Sequence, residues 1–262
     1  MFDALYIGAT GMRASQADVD AIAHNVANVN TTAFRRNVVS FEEVSRAVSP
    51  TGADPALAAA STDLSARGAG TLATLALSTN QGELKQTGQT LDVAIDGAGF
   101  LEVLRPDGTP AYTRAGALRL NSDGMLTLAD GSVLAGHLAL PPDATQIAIA
   151  ADGTVTALVG QDAQLQEIGH IDLVTFANPG GLQSVGGNLF VATSDSGAAR
   201  AGAPGADGRG ELRQGFLESS NVQLIDELVT MMVAQRAFEL NGRVIQAADQ
   251  MMAITNGLYR SS

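Results

Sequence analysis

Three histidines, His24, His137 and His170, and a surplus of carboxylates are the side chains through which this 262-residue sequence could do acid–base or metal chemistry. The histidines stand alone. No H-x-x-x-H or H-E-x-x-H spacing puts two imidazoles on one helical face, and the chain has no cysteine to complete a metal set. His24 reads as a polar or capping residue on a helix. The pairs Asp107-Gly108, Asp123-Gly124, Asp130-Gly131 and Asp152-Gly153 carry oxygen ligands but lack the dense D-x-[DN]-x-[DN]-G loop that calcium requires, so they read as turns. GAGF at Gly97 is a glycine turn feeding a strand, because no further G-x-x-G and no helical pattern follow it. A glycosidase-like pair of carboxylates would need two of them about 5–10 Å apart, and nothing in their spacing indicates one. The reading is therefore no catalytic residue, no cofactor and no metal.

What the sequence does contain is apolar periodicity. In the first thirty residues Leu5, Met12, Val19 and Val26 recur every seven positions, with Gly8, Ser15, Ile22 and Val29 between them. This predicts a helix over about residues 3–29, opened by Asp3 and stopped in the Asn-rich run after Asn25. Near the other end Leu224, Met231, Phe238, Ile245, Met252 and Tyr259 are again seven apart, and Ala234, Asn241, Ala248 and Thr255 follow three residues later. A helix over about 222–258 is predicted, with Ser219, Ser220 or Asn221 as its cap and Asp226 and Glu227 in its first turns. Its apolar surface, including Ile225, Val229, Met232, Val244, Met251, Ile254 and Leu258, is wider than one partner helix would cover. Met231, Met232, Met251 and Met252 read as adaptable packing and not as ligands.

Between these helices the sequence changes character twice. From about 46 to 79 it is rich in Ala, Gly, Ser and Pro and reads as an extended connector, with a possible short helix at DPALAAA. From about Gly82 to Ser196 short alternating runs such as LDVAI, FLEVL and TVTAL are separated by the Asp-Gly pairs, the pattern of antiparallel hairpins. A glycine-rich loop then leads to the last helix. The expected fold class is α+β: long N- and C-terminal helices form a coiled-coil-like inner domain, and an antiparallel β-rich outer domain is inserted between them. The expected boundaries are 1–36 and 216–262 for the inner domain, 37–81 for the connector and 82–215 for the β-rich domain.

Net charge is −12 and the sequence pI about 4.5, which argues against nucleic-acid partners or an anionic membrane surface. No window approaches the roughly 18 apolar residues of a membrane span. The first thirty residues lack a basic segment followed by an apolar run, so no cleaved secretory signal is expected.

IAHNVANVNTTAFRR resembles the signature of flagellar rod and hook proteins, close to Asn-x-x-Asn-x-x-Thr-x-Gly-aromatic-basic. Asn25, Asn28, Thr31, Phe34 and Arg35 match it, and Ala33 stands where glycine is usual. With alanine there a positive φ costs about 1 kcal/mol, so a different turn is expected. LDVAIDGAGFLEV, YTRAGALRLNSDGMLTLADG and ESSNVQLIDELVTMMVAQRAFELNGRVIQAADQMM are similar to further segments of the same family, in the family's order. The length leaves no room for the extra outer domain of hook proteins, and GLQSVGGNLFVATSDSG with GELRQGFLESSNV looks most like subunits of the distal rod. Proximal rod subunits and a secreted peptidoglycan-acting enzyme are the other readings.

The resemblance implies a structural subunit of the flagellar basal body, exported by the flagellar type III apparatus without a cleaved signal. It implies a periplasmic rod: a homo-oligomeric helical tube that transmits torque and meets proximal rod proteins, hook-side axial proteins and outer ring proteins. Leu5, Met12, Val19, Ile22, Val26, Leu224, Leu228, Met231, Phe238, Ile245 and Met252 are the expected packing residues within and between subunits. The connector is expected to lie between subunits and restrict bending.

Overall fold

A computed structural model describes residues 2–44, 70–136, 138–160 and 164–260; the side chains of 2–6, 42–44, 70–73, 145 and 255–260 are not described. His137, the DPALAAA segment and most of the expected connector lie outside the described residues, as does the side chain of Leu5.

The chain folds into two compact units. The first comprises residues 1–26, 37–76 and 223–262; the second comprises 27–36 and 77–222. In the first unit α1 spans Phe2–Ala27 and α2 spans Leu224–Arg260, within two residues of the helices that the heptad spacing predicts. At 1.5 Å per residue they are about 39 and 55 Å long. Strands β1 (Asn37–Val44) and β2 (Gly70–Leu77) form a two-stranded sheet.

Three contacts set how α1 and α2 meet. A Cβ added to Gly8 would sit 2.8 Å from Ile245 Cγ1, and one added to Gly11 would sit 3.0 Å from Asn241 Nδ2. Asn25 Nδ2 donates to Glu227 Oε2 at 3.2 Å. Residue numbers rise along α1 as they fall along α2, so the two helices run antiparallel. Glycine at position 8 permits an approach that any side chain would block. The most buried positions are the small ones, Ala14, Ser15 and Ala21 on α1 and Ala234 and Ala248 on α2, together with Ile22, Asn25 and Glu227. The contacts at Gly8 and Gly11 lie one step round the helix from Met12, Val19 and Val26, which are half-buried.

The second unit is built of antiparallel pairs. Its largest sheet contains β5 (Phe100–Leu104), β6 (Pro110–Thr113), β7 (Arg119–Leu120), β8 (Leu126–Thr127), β9 (Val133–Leu134), β13 (Leu173–Thr175), β14 (Gln183–Gly186), β15 (Leu189–Val191) and β16 (Arg200–Gly202). A three-stranded sheet, β10 (Ala144–Ile149), β11 (Thr154–Val159) and β12 (Gln164–His170), has β12 at one edge. Alternation decides the core: Leu101 and Val103, Val155 and Ala157, and Leu173 point inward and are fully or almost fully buried.

The Asp-Gly pairs close the hairpins β5–β6, β7–β8, β8–β9 and β10–β11, and the glycine of each has φ between 74° and 93°. The adjacent carboxylates add local bonds. Asp107 Oδ1 accepts from Thr109 N at 2.9 Å and Asp152 Oδ1 from Thr154 N at 3.0 Å. Hydrogen bonding from Thr109 and from Thr154 therefore holds the two carboxyls below the usual 3.8. Because the folded values lie below the unfolded ones, these bonds support the turns above the ordinary carboxylate range and lose that support as pH falls through the lower folded values. An NMR titration is expected to give both midpoints below 3.8; midpoints at or above it would contradict the turn geometry.

One part of the β region was not visible beforehand. The glycine-rich segment after Ser196, expected to be a loop, contains β16 and β17 (Glu211–Gln214) and leads into β18 (Phe216–Glu218). Strand β16 pairs with β13, β17 with β4 (Val93–Asp96), and β18 with β3 (Leu84–Gln86). These strands are three or four residues long and owe their form to partners over a hundred residues away in two of the three pairs, which local composition cannot report.

Candidate functional site

The segment carrying the family signature, residues 25–37, leaves the helical unit, enters the β unit and returns. Asn25 closes the base of this excursion. Its Nδ2 donates to Asn37 O and its Oδ1 accepts from Asn37 N, both at 2.8 Å, so one side chain satisfies both main-chain groups of the residue at which the chain comes back. Asn25 and Glu227 are buried, and their mutual bond joins the excursion's base to the first turn of α2. His24 Nδ1 lies 3.2 Å from Asn37 Nδ2, which uses the imidazole structurally.

Within the excursion, Thr31 N donates to Asn28 O at 3.1 Å and Thr31 Oγ1 contacts Asn28 Oδ1 at the same distance. Ala33 corrects the expectation of an altered turn: its φ is +57°, so the left-handed conformation is kept. The steric cost of about 1–2 kcal/mol is opposed by full burial of its methyl group and by a 2.8 Å bond from Ala33 N to Glu218 O. Phe34 is buried beside it.

Arg35 then meets the feature that sequence reasoning missed. Arg35 Nη2 lies 2.8 Å from Glu218 Oε1, and Arg114 Nε lies 2.7 Å from Glu218 Oε2; all three side chains are almost completely buried. Arg114 is otherwise engaged by the carbonyls of Gly99, Ile95 and Gly97 at 2.7, 3.2 and 3.0 Å. Glu218 Oε1 also accepts from Gly82 N at 2.9 Å. Burial draws the Arg35 guanidinium down from its ordinary value to about 10, with Glu218 opposing that shift and Arg114 adding to it. Both guanidinium groups meet Glu218, so two cations share one carboxylate.

Asn221 ties further chain crossings together. Its Oδ1 accepts from Arg36 N at 2.7 Å, its Nδ2 donates to Asn80 O at 2.8 Å, and its own N–H reaches Phe34 O at 3.3 Å. Ser78 N donates to Arg36 O at 2.8 Å. Of the expected capping candidates Asn221 is therefore spent inside the β unit, before α2 begins at Leu224. Three of the four points where the chain passes between units are thus held side by side within the second unit. The signal for Glu218 and Asn221 was present in ESSN, yet only the fold places it against Arg35.

A cavity of about 430 Å3 adjoins this cluster. Arg35 and Arg114 line it together with Phe100, Phe176, Leu182 and Phe190. Phe100 packs edge-on against Phe176 and Phe190, with centroids 6.0 and 6.1 Å away, and Arg114 Cζ lies 5.9 Å from its ring.

The expected packing residues fall into two groups. Ile22 is buried, and Met12, Val19, Val26, Met231, Ile245 and Met252 are half-buried. Leu224, Leu228 and Phe238 are exposed, as are Ile225, Val233, Leu240 and Ile254, the last four between 60 and 76%. Among the described residues no group of three or more His, Asp or Glu could hold a metal, and no helix is long and apolar enough to cross a membrane.

Known proteins place these features in one family. The family descriptions "Flagella basal body rod protein", "Flagellar hook protein FlgE/F/G D1 domain" and "Flagellar basal body rod FlgEFG protein C-terminal" match residues 5–35, 94–157 and 213–258. The chain is 40% identical to the flagellar basal-body rod protein FlgG of Borreliella burgdorferi, over 99% of this chain and 100% of the relative. It is 38% identical to FlgG of Caulobacter vibrioides, over 97% and 98%, and 30% identical to the rod protein FlgF of the same organism, over 100% and 97%. Asn25, Arg35 and the strand that carries Glu218 lie inside the matched segments, and the chain belongs to the flagellar basal-body rod protein family.

Proposed function

We propose that the chain is a structural subunit of the distal rod of the flagellar basal body, polymerising helically into a shaft that transmits torque from motor to hook. The observation that carries this is the row of exposed apolar side chains along α2, Ile225, Val233, Leu240 and Ile254 with Phe238 among them. A solvated helix of 37 residues does not keep so many large apolar groups in water without partners. Each such side chain contributes about 1.5–3 kcal/mol when buried. A contact that repeats from copy to copy without closing produces a filament.

In this reading α1 and α2 pair as an antiparallel, coiled-coil-like inner domain, and their outward faces meet neighbouring subunits. Met12, Val19, Ile22, Val26, Met231, Ile245 and Met252 pack within the pair or at its flanks; Leu224, Leu228 and Phe238 pack between copies. The chain is exported by the flagellar type III apparatus and works in the periplasm, next to proximal rod, hook-side axial and outer ring proteins. Higher identity to FlgG than to FlgF within one organism supports the distal over the proximal position. The role is structural and not enzymatic: the buried carboxylates Glu218 and Glu227 are both engaged in hydrogen bonds.

Phe238→Asp is expected to abolish polymerisation and rod assembly while the β unit keeps its thermal transition. Sedimentation of the purified chain and basal-body isolation from a complemented strain read the two effects. Normal rods built from this variant would overturn the proposed interface.

A further inference from the structure

The cavity beside Arg35 and Arg114 is mismatched in charge with its own surroundings. Two buried guanidinium groups face one carboxylate, and both oxygens of Glu218 are already occupied. Arg35 Nη1 is buried with no hydrogen-bond partner among the described residues. A surplus buried cation is costly unless an anion approaches it. The rest of the wall combines the apolar side chains of Leu77, Phe100, Phe176, Leu182 and Phe190 with the polar ones of Ser78, Thr79, Asn80, Gln81 and Thr175, so an anion carried on a partly apolar body suits it. The mouth is open: Thr79 and Ala98 line it and are exposed.

The same unit presents a matching group elsewhere. Strand β12 is an edge strand, so one row of its main-chain groups lacks a strand partner among the described residues. Leu165 and Glu167 lie two residues apart on one face of it, and both are exposed, Leu165 by 72%. Two residues along a strand span about 7 Å. An apolar side chain and a carboxylate at that separation complement an apolar wall beside a cationic floor.

We propose that the cavity receives the Leu165–Glu167 edge of β12 from a second copy of this chain. Glu167 offsets the surplus charge of Arg35 and Arg114, and Leu165 packs against Phe100 and Phe176. The contact joins two different patches, so it propagates from copy to copy and does not close into a dimer. It rests on the self-assembly proposed above, and adds a contact between β units to that between helices.

The absence of native cysteine makes the test clean. Full-length Thr79→Cys and Gln166→Cys chains are mixed under polymerising conditions and treated with a short bis-maleimide. Thr109→Cys, exposed on the β5–β6 turn, replaces Thr79→Cys as the control. The expected result is a heterodimer formed by the first pair at about tenfold the control yield, a difference of about 1.4 kcal/mol. Adding Glu167→Lys to the Gln166→Cys chain should return the yield to background, with its thermal midpoint unchanged because the side chain is exposed. An excess of 3-phenylpropionate should compete, and 3-phenylpropanol should not.

Yield at the control level, or yield indifferent to Glu167→Lys, overturns the proposal. Saturable 3-phenylpropionate binding without cross-linking overturns the second copy as occupant. Equal competition by the alcohol overturns the role of charge. A chain that polymerises normally yet gives no cross-link removes this contact alone, whereas a chain that does not polymerise at all removes the assembly reading with it.

Discussion

Glu218→Gln is expected to lower the stability of the β unit by about 3–5 kcal/mol, the usual consequence of removing one partner from a buried ion pair. The amide is neutral and offers only one acceptor oxygen, so two buried guanidinium groups lose their common counter-charge. Its NH2 group would also face donors. The effect reaches beyond one pair, because the Glu218 side chain holds Arg35, Arg114 and Gly82 N, and its carbonyl holds Ala33 N. Urea unfolding followed by far-ultraviolet circular dichroism measures it. Adding Arg35→Met should recover part of the loss, since the remaining Arg114 still has backbone acceptors; a double variant no better than the single one would contradict a charge-based origin. A loss under about 1 kcal/mol, the range of exposed pairs, would show that the cluster is solvated and weak.

Asn25→Ala should have the second largest effect, about 2–4 kcal/mol, because each buried group left unbonded costs about 1–3 kcal/mol. Both main-chain groups of Asn37 lose their partner, and the buried Glu227 carboxylate loses a donor. The loss is local. Amide exchange at Asn37 should accelerate, and proteolysis should begin within residues 27–36, while protection of the β core stays near its original level. Unchanged exchange at Asn37 would mean that its bonds to Asn25 do not hold the excursion closed. Together the two variants separate the two ends of the signature segment, since Asn25 acts in the helical unit and Arg35 in the β unit.

Much of this architecture is legible in the chain. A seven-residue recurrence of apolar side chains marks both long helices, because a helical face repeats at nearly that interval. Asp-Gly pairs mark four hairpins, because glycine accepts the positive φ that such turns use. The recurrence of Leu5, Met12, Val19 and Val26 locates a face but not the line of contact, which passes through Gly8, Gly11 and Asn25. Small residues are weak in any hydrophobic pattern, yet they let two backbones approach most closely. The breadth of apolar surface on α2 was also readable, and Ile225, Val229, Met251 and Ile254 on it are exposed.

The sequence by itself determined the two long helices, the Asp-Gly hairpins and the family: periodicity, turn chemistry and signature are local, and each is written in residues at most a few turns apart. Only the tertiary structure decided that Arg35, Arg114 and Glu218 form one buried cluster, that Asn221 joins three strands of chain and caps no helix, and that Ala33 holds a left-handed turn. The reason is distance along the chain. Arg35 and Glu218 become neighbours because β18 pairs with β3 and β17 with β4. Those pairings are selected by burial of the whole β core, so no short stretch of sequence carries the information that brings the charges together.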